Sequence, residues 1–225
     1  MTLIVHALGA YASYGVETCA WRRGDYDINK LVKSLKGDAF PGYADLRDVR
    51  GNWHRIEVRD RTPAFAYFSA WAAKRLRTLD LGPFCLVPVP SSQSISYTSD
   101  STPMRMARET QQRLGDPAQV RSWLRFTESM TKSRNGGTRN FDVLFDKLRV
   151  SRAAQDGARA VLVDDVKTTG AHLRACAARL REYGVRVDTV VVAAATVWDQ
   201  VPNPLSVAPV DLELRSAATD DDWDF

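Results

Sequence analysis

Two apolar runs near the end of the chain constrain the fold more than any other feature. They are ARAVLVDD (residues 158–165) and VRVDTVVVAAATVW (185–198), and AHLRACAARLREYG lies between them. The middle segment has helical period, with Leu173, Cys176, Ala177 and Leu180 on one face and Gly184 at the C′ position. A run without polar alternation is what a strand covered on both faces requires, and such strands belong to parallel sheets. A strand, a helix and a strand in this order define one crossover unit.

Upstream segments repeat the pattern. PFCLVPVP (83–90) reads as a short buried strand, and Thr102-Pro103 opens a helix closed by Gly115. AQVRSWLRF (118–126) reads as a strand, TESMTKSRNGGTRN (127–140) as a loop, and KLRVS (147–151) as a weak strand. The first eighty residues are mixed. INKLVKSLK reads as a helix capped by Asp27 and ended by Gly37, and Thr62-Pro63 starts another, with Phe65, Phe68, Ala72 and Leu76 facing inward. The expected fold is α/β: an open, mostly parallel, doubly wound sheet over residues 81–225, with an N-terminal α+β appendage or hood over 1–80.

Charge is unevenly distributed. The 225 residues carry +4, but residues 211–225 hold six acids and one base, which leaves +9 on the rest. A basic body suits an anionic ligand, either nucleic acid or a phosphorylated small molecule. The three cysteines share no short spacing, which argues against a metal cluster or a disulfide framework and for a reducing, cytoplasmic setting. Neither a leader nor a membrane span is read from the sequence.

In such a sheet the ligand lies beyond the carboxyl ends of the strands. There the run AVLVDDVKTTG (160–170) sets Asp164 and Asp165 at a strand end, followed by Thr168, Thr169 and Gly170 at a helix start. Adjacent carboxylates need hydroxyl donors or a cation, and the unpaired amides of a helix N-terminus attract an anion. Vicinal hydroxyls close to a phosphate satisfy both ends, which describes a ribose 5-phosphate.

VLVDDVKTTGAHL resembles the phosphoribosyl-pyrophosphate loop of type I phosphoribosyltransferases. The wider chain is most similar to their ComF-like, competence-associated branch: LVPVP to the first core strand, MRMARETQQRLG to the following helix and TRNFDVLF to an R-N-x-x-x-F segment. The family's R-G-x-N-Q segment is replaced here by SISYTSDST. The resemblance implies that Asp164 and Asp165 hold the ribose hydroxyls, directly or through water and Mg²⁺. It implies that Thr168, Thr169, Gly170 and Ala171 hold the 5-phosphate, with Lys167 and His172 beside them. Pro90, Ser91, Ser92 and Gln93 would form the pyrophosphate loop, and Lys132, Arg134 and Arg139 would bring cations to the leaving group from a lid over 128–140.

The implied reaction is Mg²⁺-dependent transfer of a phosphoribosyl group from phosphoribosyl pyrophosphate to a nitrogenous base, releasing pyrophosphate, by a homodimer. The alternative is a non-catalytic sensor of that donor or of a nucleotide, or a DNA-uptake-associated protein. Arg47, Arg50, Arg55, Arg59 and Arg61 motivate a nucleic-acid partner for it. Trp53, Tyr67 and Trp198 are the aromatics considered for stacking on a base, with burial in the core as their default role.

Overall fold

A computed structural model describes residues 2–98, 100–116, 118–130, 140–154 and 156–214. Its centre is a six-stranded sheet built from β1 (Thr2–Ala12), β4 (Phe84–Pro88), β5 (Ala118–Val120), β8 (Arg159–Lys167), β9 (Arg186–Val197) and β10 (Val210–Glu213), in the order β10-β1-β9-β8-β4-β5. Five strands run parallel and β10 is antiparallel to β1 at one edge. Two small antiparallel pairs lie outside it, β2 (Ala44–Arg47) with β3 (Trp53–Ile56), and β6 (Leu124–Phe126) with β7 (Leu148–Val150).

Helices cover both faces, as the unbroken apolar strands require. On one face lie α1 (Arg23–Lys36), α2 (Thr62–Arg77) and α3 (Thr102–Leu114), whose Ile28, Leu31, Phe65, Phe68 and Met106 pack with Leu8, Val161, Val163 and Val191 of the sheet. On the other lie α4 (Phe141–Lys147) and α5 (Ala171–Arg181), where Leu144, Leu173, Cys176 and Leu180 meet Val5, Leu162, Val190 and Val192. Alternate residues of β8 thus feed two separate cores, and each fully buried Leu or Phe contributes on the order of 1.5–3 kcal/mol. The α/β, doubly wound, mostly parallel architecture is the expected one. No helix among the described residues is long and apolar enough to cross a membrane.

The differences from expectation are local. Residues 2–12 are not part of an appendage: β1 pairs with β9 from Ile4↔Thr189 to Ala12↔Val197 inside the main sheet. Helix α1 begins at Arg23 rather than after Asp27. The Asp25 carboxylate accepts the Arg22 backbone N–H at 2.8 Å, which satisfies an orphan donor one turn earlier, and Asp27 sits buried within the helix beside Arg23. AQVRSWLRF is not one strand. β5 ends at Val120, Trp123 turns into the α5-side core, and β6 leaves the sheet to pair with β7. The TRNFDVLF segment contains α4, whose cap Asn140 accepts from the amides of Asp142 at 2.8 Å and Val143 at 3.3 Å. Residues 210–213, grouped by charge with the acidic tail, form β10.

Candidate functional site

The ladder between β4 and β8 ends at Pro88↔Val163, with one further bond from the Val89 amide to the Val163 carbonyl at 2.9 Å. On its other side β8 stays paired with β9 as far as Lys167↔Ala195. The strand end expected at the aspartates is therefore corrected: β8 continues to Lys167. Asp164 and Asp165 lie within the strand, on the stretch that projects past β4. That projection opens a cavity of about 600 Å³ at the carboxyl end of the sheet, within the usual range for small-molecule sites. Pro90, Ser91, Ser92 and Gln93 line it together with every residue from Asp164 to Leu173. All the expected ribose, phosphate and pyrophosphate contacts among the described residues thus face one space. The lid residues Lys132, Arg134 and Arg139 lie outside the described residues.

Successive side chains of a strand point to opposite faces, so the two carboxylates diverge. Asp165 turns toward α1, where its Oδ1 is 3.6 Å from Nζ of Lys36, the last residue of that helix. Asp164 accepts the Asp165 backbone N–H at 2.8 Å and raises the pKa of the Cys176 thiol on α5 by its charge, adding to the larger effect of burial. Burial, then the neighbouring carboxylate, push the Asp164 pKa well above the usual range. Burial also raises Asp165, against the pull of Lys36. The pair therefore favours a guest that brings hydroxyl donors or a cation.

The loop that follows is shaped by Gly170, at φ +83. A Cβ there would meet Leu212 Cδ1 of β10 at 2.6 Å. Leu212 occupies the space a side chain at Gly170 would take, so β10 braces the loop from behind. Thr168 and Thr169 are exposed. In α5 the Arg174 amide reaches the Gly170 carbonyl at 2.9 Å and begins the ladder, and the Ala171 amide makes only a 3.4 Å contact with Thr169 Oγ1. The first-turn amides thus face the cavity with the positive end of the helix dipole.

Lys167 is half-buried, and its amine pKa is lowered by burial and by Arg174, so two cations stand near this end. His172 stacks on Phe126 with centroids 5.5 Å apart, and burial lowers its pKa to about 4. It is a neutral part of the wall, with a buried Nε2 that has no hydrogen-bond partner among the described residues.

The loop after β4 is held by its own hydroxyls. The Ser91 amide donates to Ser94 Oγ at 3.1 Å, and the two serine hydroxyls are 2.9 Å apart. The Ser92 carbonyl accepts the Met130 amide at 2.7 Å, and Gln93 Nε2 donates to the Met130 carbonyl at 3.3 Å. The expected pyrophosphate loop and the stem of the expected lid are therefore joined.

Sequence reasoning misses the opposite wall. Lys36, Arg61 and Arg105 line the cavity from α1, the start of α2 and α3. By sequence Arg61 groups with surface arginines as a nucleic-acid contact. Its guanidinium instead turns inward, donating to the carbonyls of Ser34 at 3.1 Å and of Leu35. Arg61 and Arg105 both lie over the Phe65 ring, at 5.3 and 4.0 Å. Nothing in local periodicity distinguishes an arginine that closes over another helix from one in solvent. Of the aromatics considered for stacking, Tyr67 is buried, whereas Trp53 and Trp198 are 69% and 64% exposed rather than core residues.

Fold and site together define an α/β protein with a cavity at the carboxyl edge of its sheet, lined by two carboxylates and the first turn of α5. No family model matches the chain, and no curated protein does. Among solved structures, an adenine phosphoribosyltransferase from Thermoanaerobacter pseudethanolicus is 20% identical, covering 68% of this chain and 83% of that one at a TM-score of 0.40. A second adenine phosphoribosyltransferase is 12% identical, covering 74% and 89%, also at 0.40. A Thermus thermophilus protein is 17% identical, covering 61% and 85%, at 0.36.

Proposed function

We propose that the cavity binds phosphoribosyl pyrophosphate and that the protein transfers its phosphoribosyl group to a nitrogenous base. One observation carries this reading: the Asp164–Asp165 pair and the first-turn amides of α5 face the same cavity across the loop 166–170. Ribose hydroxyls donate to the carboxylates, and the 5-phosphate accepts from Thr168, Thr169 and the amides that follow Gly170. The loop 90–93 then adjoins the pyrophosphate. The similar motif of type I phosphoribosyltransferases supports the same assignment.

In the reaction a base nitrogen forms a bond to the anomeric carbon as the bond from that carbon to pyrophosphate breaks. Pyrophosphate leaves with the electron pair. Positive charge develops on the ribose, where the two carboxylates stabilise it. Asp164 and Asp165 would hold Mg²⁺, which would supply positive charge to the leaving group. The donor set fits a hard cation whose other ligands come from the substrate: two carboxylates are present, but no cluster of three or more His, Cys, Asp or Glu side chains among the described residues. Lys132, Arg134 and Arg139 are proposed to add cations from the lid.

A second reading, binding without transfer, has one observation in its favour: the Ser91 amide and hydroxyl are both engaged by Ser94. Pyrophosphate release in the presence of Mg²⁺ and a panel of purine and pyrimidine bases separates the two. Transfer predicts base-dependent release that disappears in Asp164→Asn; saturable donor binding with no release for any base selects the second reading.

A further inference from the structure

A second cavity, of about 280 Å³, lies between β1, the C-terminal half of α2 and residues 205–209, which lead toward β10. It shares no lining residue with the first. His6, Trp71, Arg75, Ser206 and Val207 are among its walls. His6 is 5% exposed, in the interior of a strand, and its Nδ1 accepts from Arg75 Nε at 3.0 Å. Burial and the Arg75 charge lower the His6 pKa to about 4, so the ring is neutral near pH 7.

A neutral imidazole that accepts at Nδ1 carries its hydrogen on Nε2. Nε2 is therefore a donor, and it has no hydrogen-bond partner among the described residues. Only Nε of the Arg75 guanidinium is engaged, and no carboxylate lies within 4.0 Å of it among the described residues. An arginine oriented by a buried histidine, with its terminal nitrogens uncommitted, presents a fork that matches a planar carboxylate. The remaining walls, Leu8, Trp71, Val207 and Pro209, suit an apolar body attached to that carboxylate. Arg75 sits in the last turn of α2, where the helix dipole is negative. A monoanion is tolerated there better than a phosphate dianion.

We propose that this cavity is a second ligand site, binding a small planar aromatic carboxylate through Arg75 and His6 against Trp71. The site stands independently of the activity proposed for the first cavity.

Isothermal titration of the full chain with benzoate and 2-naphthoate tests it, with the corresponding uncharged carboxamides as controls. The expected result is saturable one-site binding of the acids, at least about tenfold weaker binding of the amides, and a similar loss in Arg75→Met. Lys74→Met, on the exposed side of the same turn, leaves affinity unchanged, as does saturating phosphoribosyl pyrophosphate. Absence of saturable binding, full affinity in Arg75→Met, or displacement by phosphoribosyl pyrophosphate overturns the proposal. Should Arg75→Met fail to fold, Trp71→Leu decides: affinity equal to that of the unaltered chain contradicts the site.

Discussion

At the scale of single residues, the most informative group is Asp164. Burial and the adjacent Asp165 raise its pKa above that of an unfolded aspartate. A carboxyl raised on folding stabilises the protein at pH values below its unfolded pKa, and that contribution is lost as pH rises through the folded pKa. Asp164→Asn removes this loss. Thermal unfolding of the variant should therefore occur at least about 2 °C higher than that of the unaltered chain at pH 8, with the gap closing toward pH 4. An equal gap at both pH values would contradict the assignment. Gly170 makes a second residue-scale case. Its φ of +83, and the 2.6 Å that would separate a Cβ from Leu212, leave no room for a side chain. Gly170→Ala should cost roughly 1–3 kcal/mol in urea unfolding, the ordinary range for strain of this kind.

At the scale of elements, helix α4 depends on its cap. Of its seven residues Leu144 is buried and Phe141 and Phe145 are partly buried against the core, and Asn140 supplies two side-chain contacts to its first amides. Asn140→Ala should lower stability by about 1 kcal/mol in denaturant unfolding, with no change in the cooperativity of the transition. This helix also marks the limit of what is legible in sequence. The long apolar strands β8 and β9 and the proline-started helices α2 and α3 carry strong local signals, and their places follow from periodicity and caps. Short elements such as α4, β2 and β10 owe their form to tertiary partners. Leu212 packs where a side chain at Gly170 would stand, and no window around either residue contains that fact. The acidic half of the site is legible for the opposite reason, since strand, carboxylates, hydroxyls and glycine are contiguous in the chain. Lys36, Arg61 and Arg105 are not, because three separate helices bring them together.

At the scale of the whole molecule, the two helical layers divide the work. The layer carrying α5 supplies the first-turn amides that face the cavity, and the layer carrying α1, α2 and α3 supplies Lys36, Arg61 and Arg105 opposite. β8 lies between them and directs one aspartate toward each, so a ligand that bridges the carboxylates also bridges both layers. The central claim is that this arrangement recognises a phosphorylated ribose bearing pyrophosphate. Calorimetric titration of the intact chain with phosphoribosyl pyrophosphate in Mg²⁺ buffer tests it most directly. The account predicts saturable binding to one site, weakened at least about tenfold when Asp164 and Asp165 are both replaced by Asn. No binding by the intact chain, or equal affinity in the double variant, would contradict it.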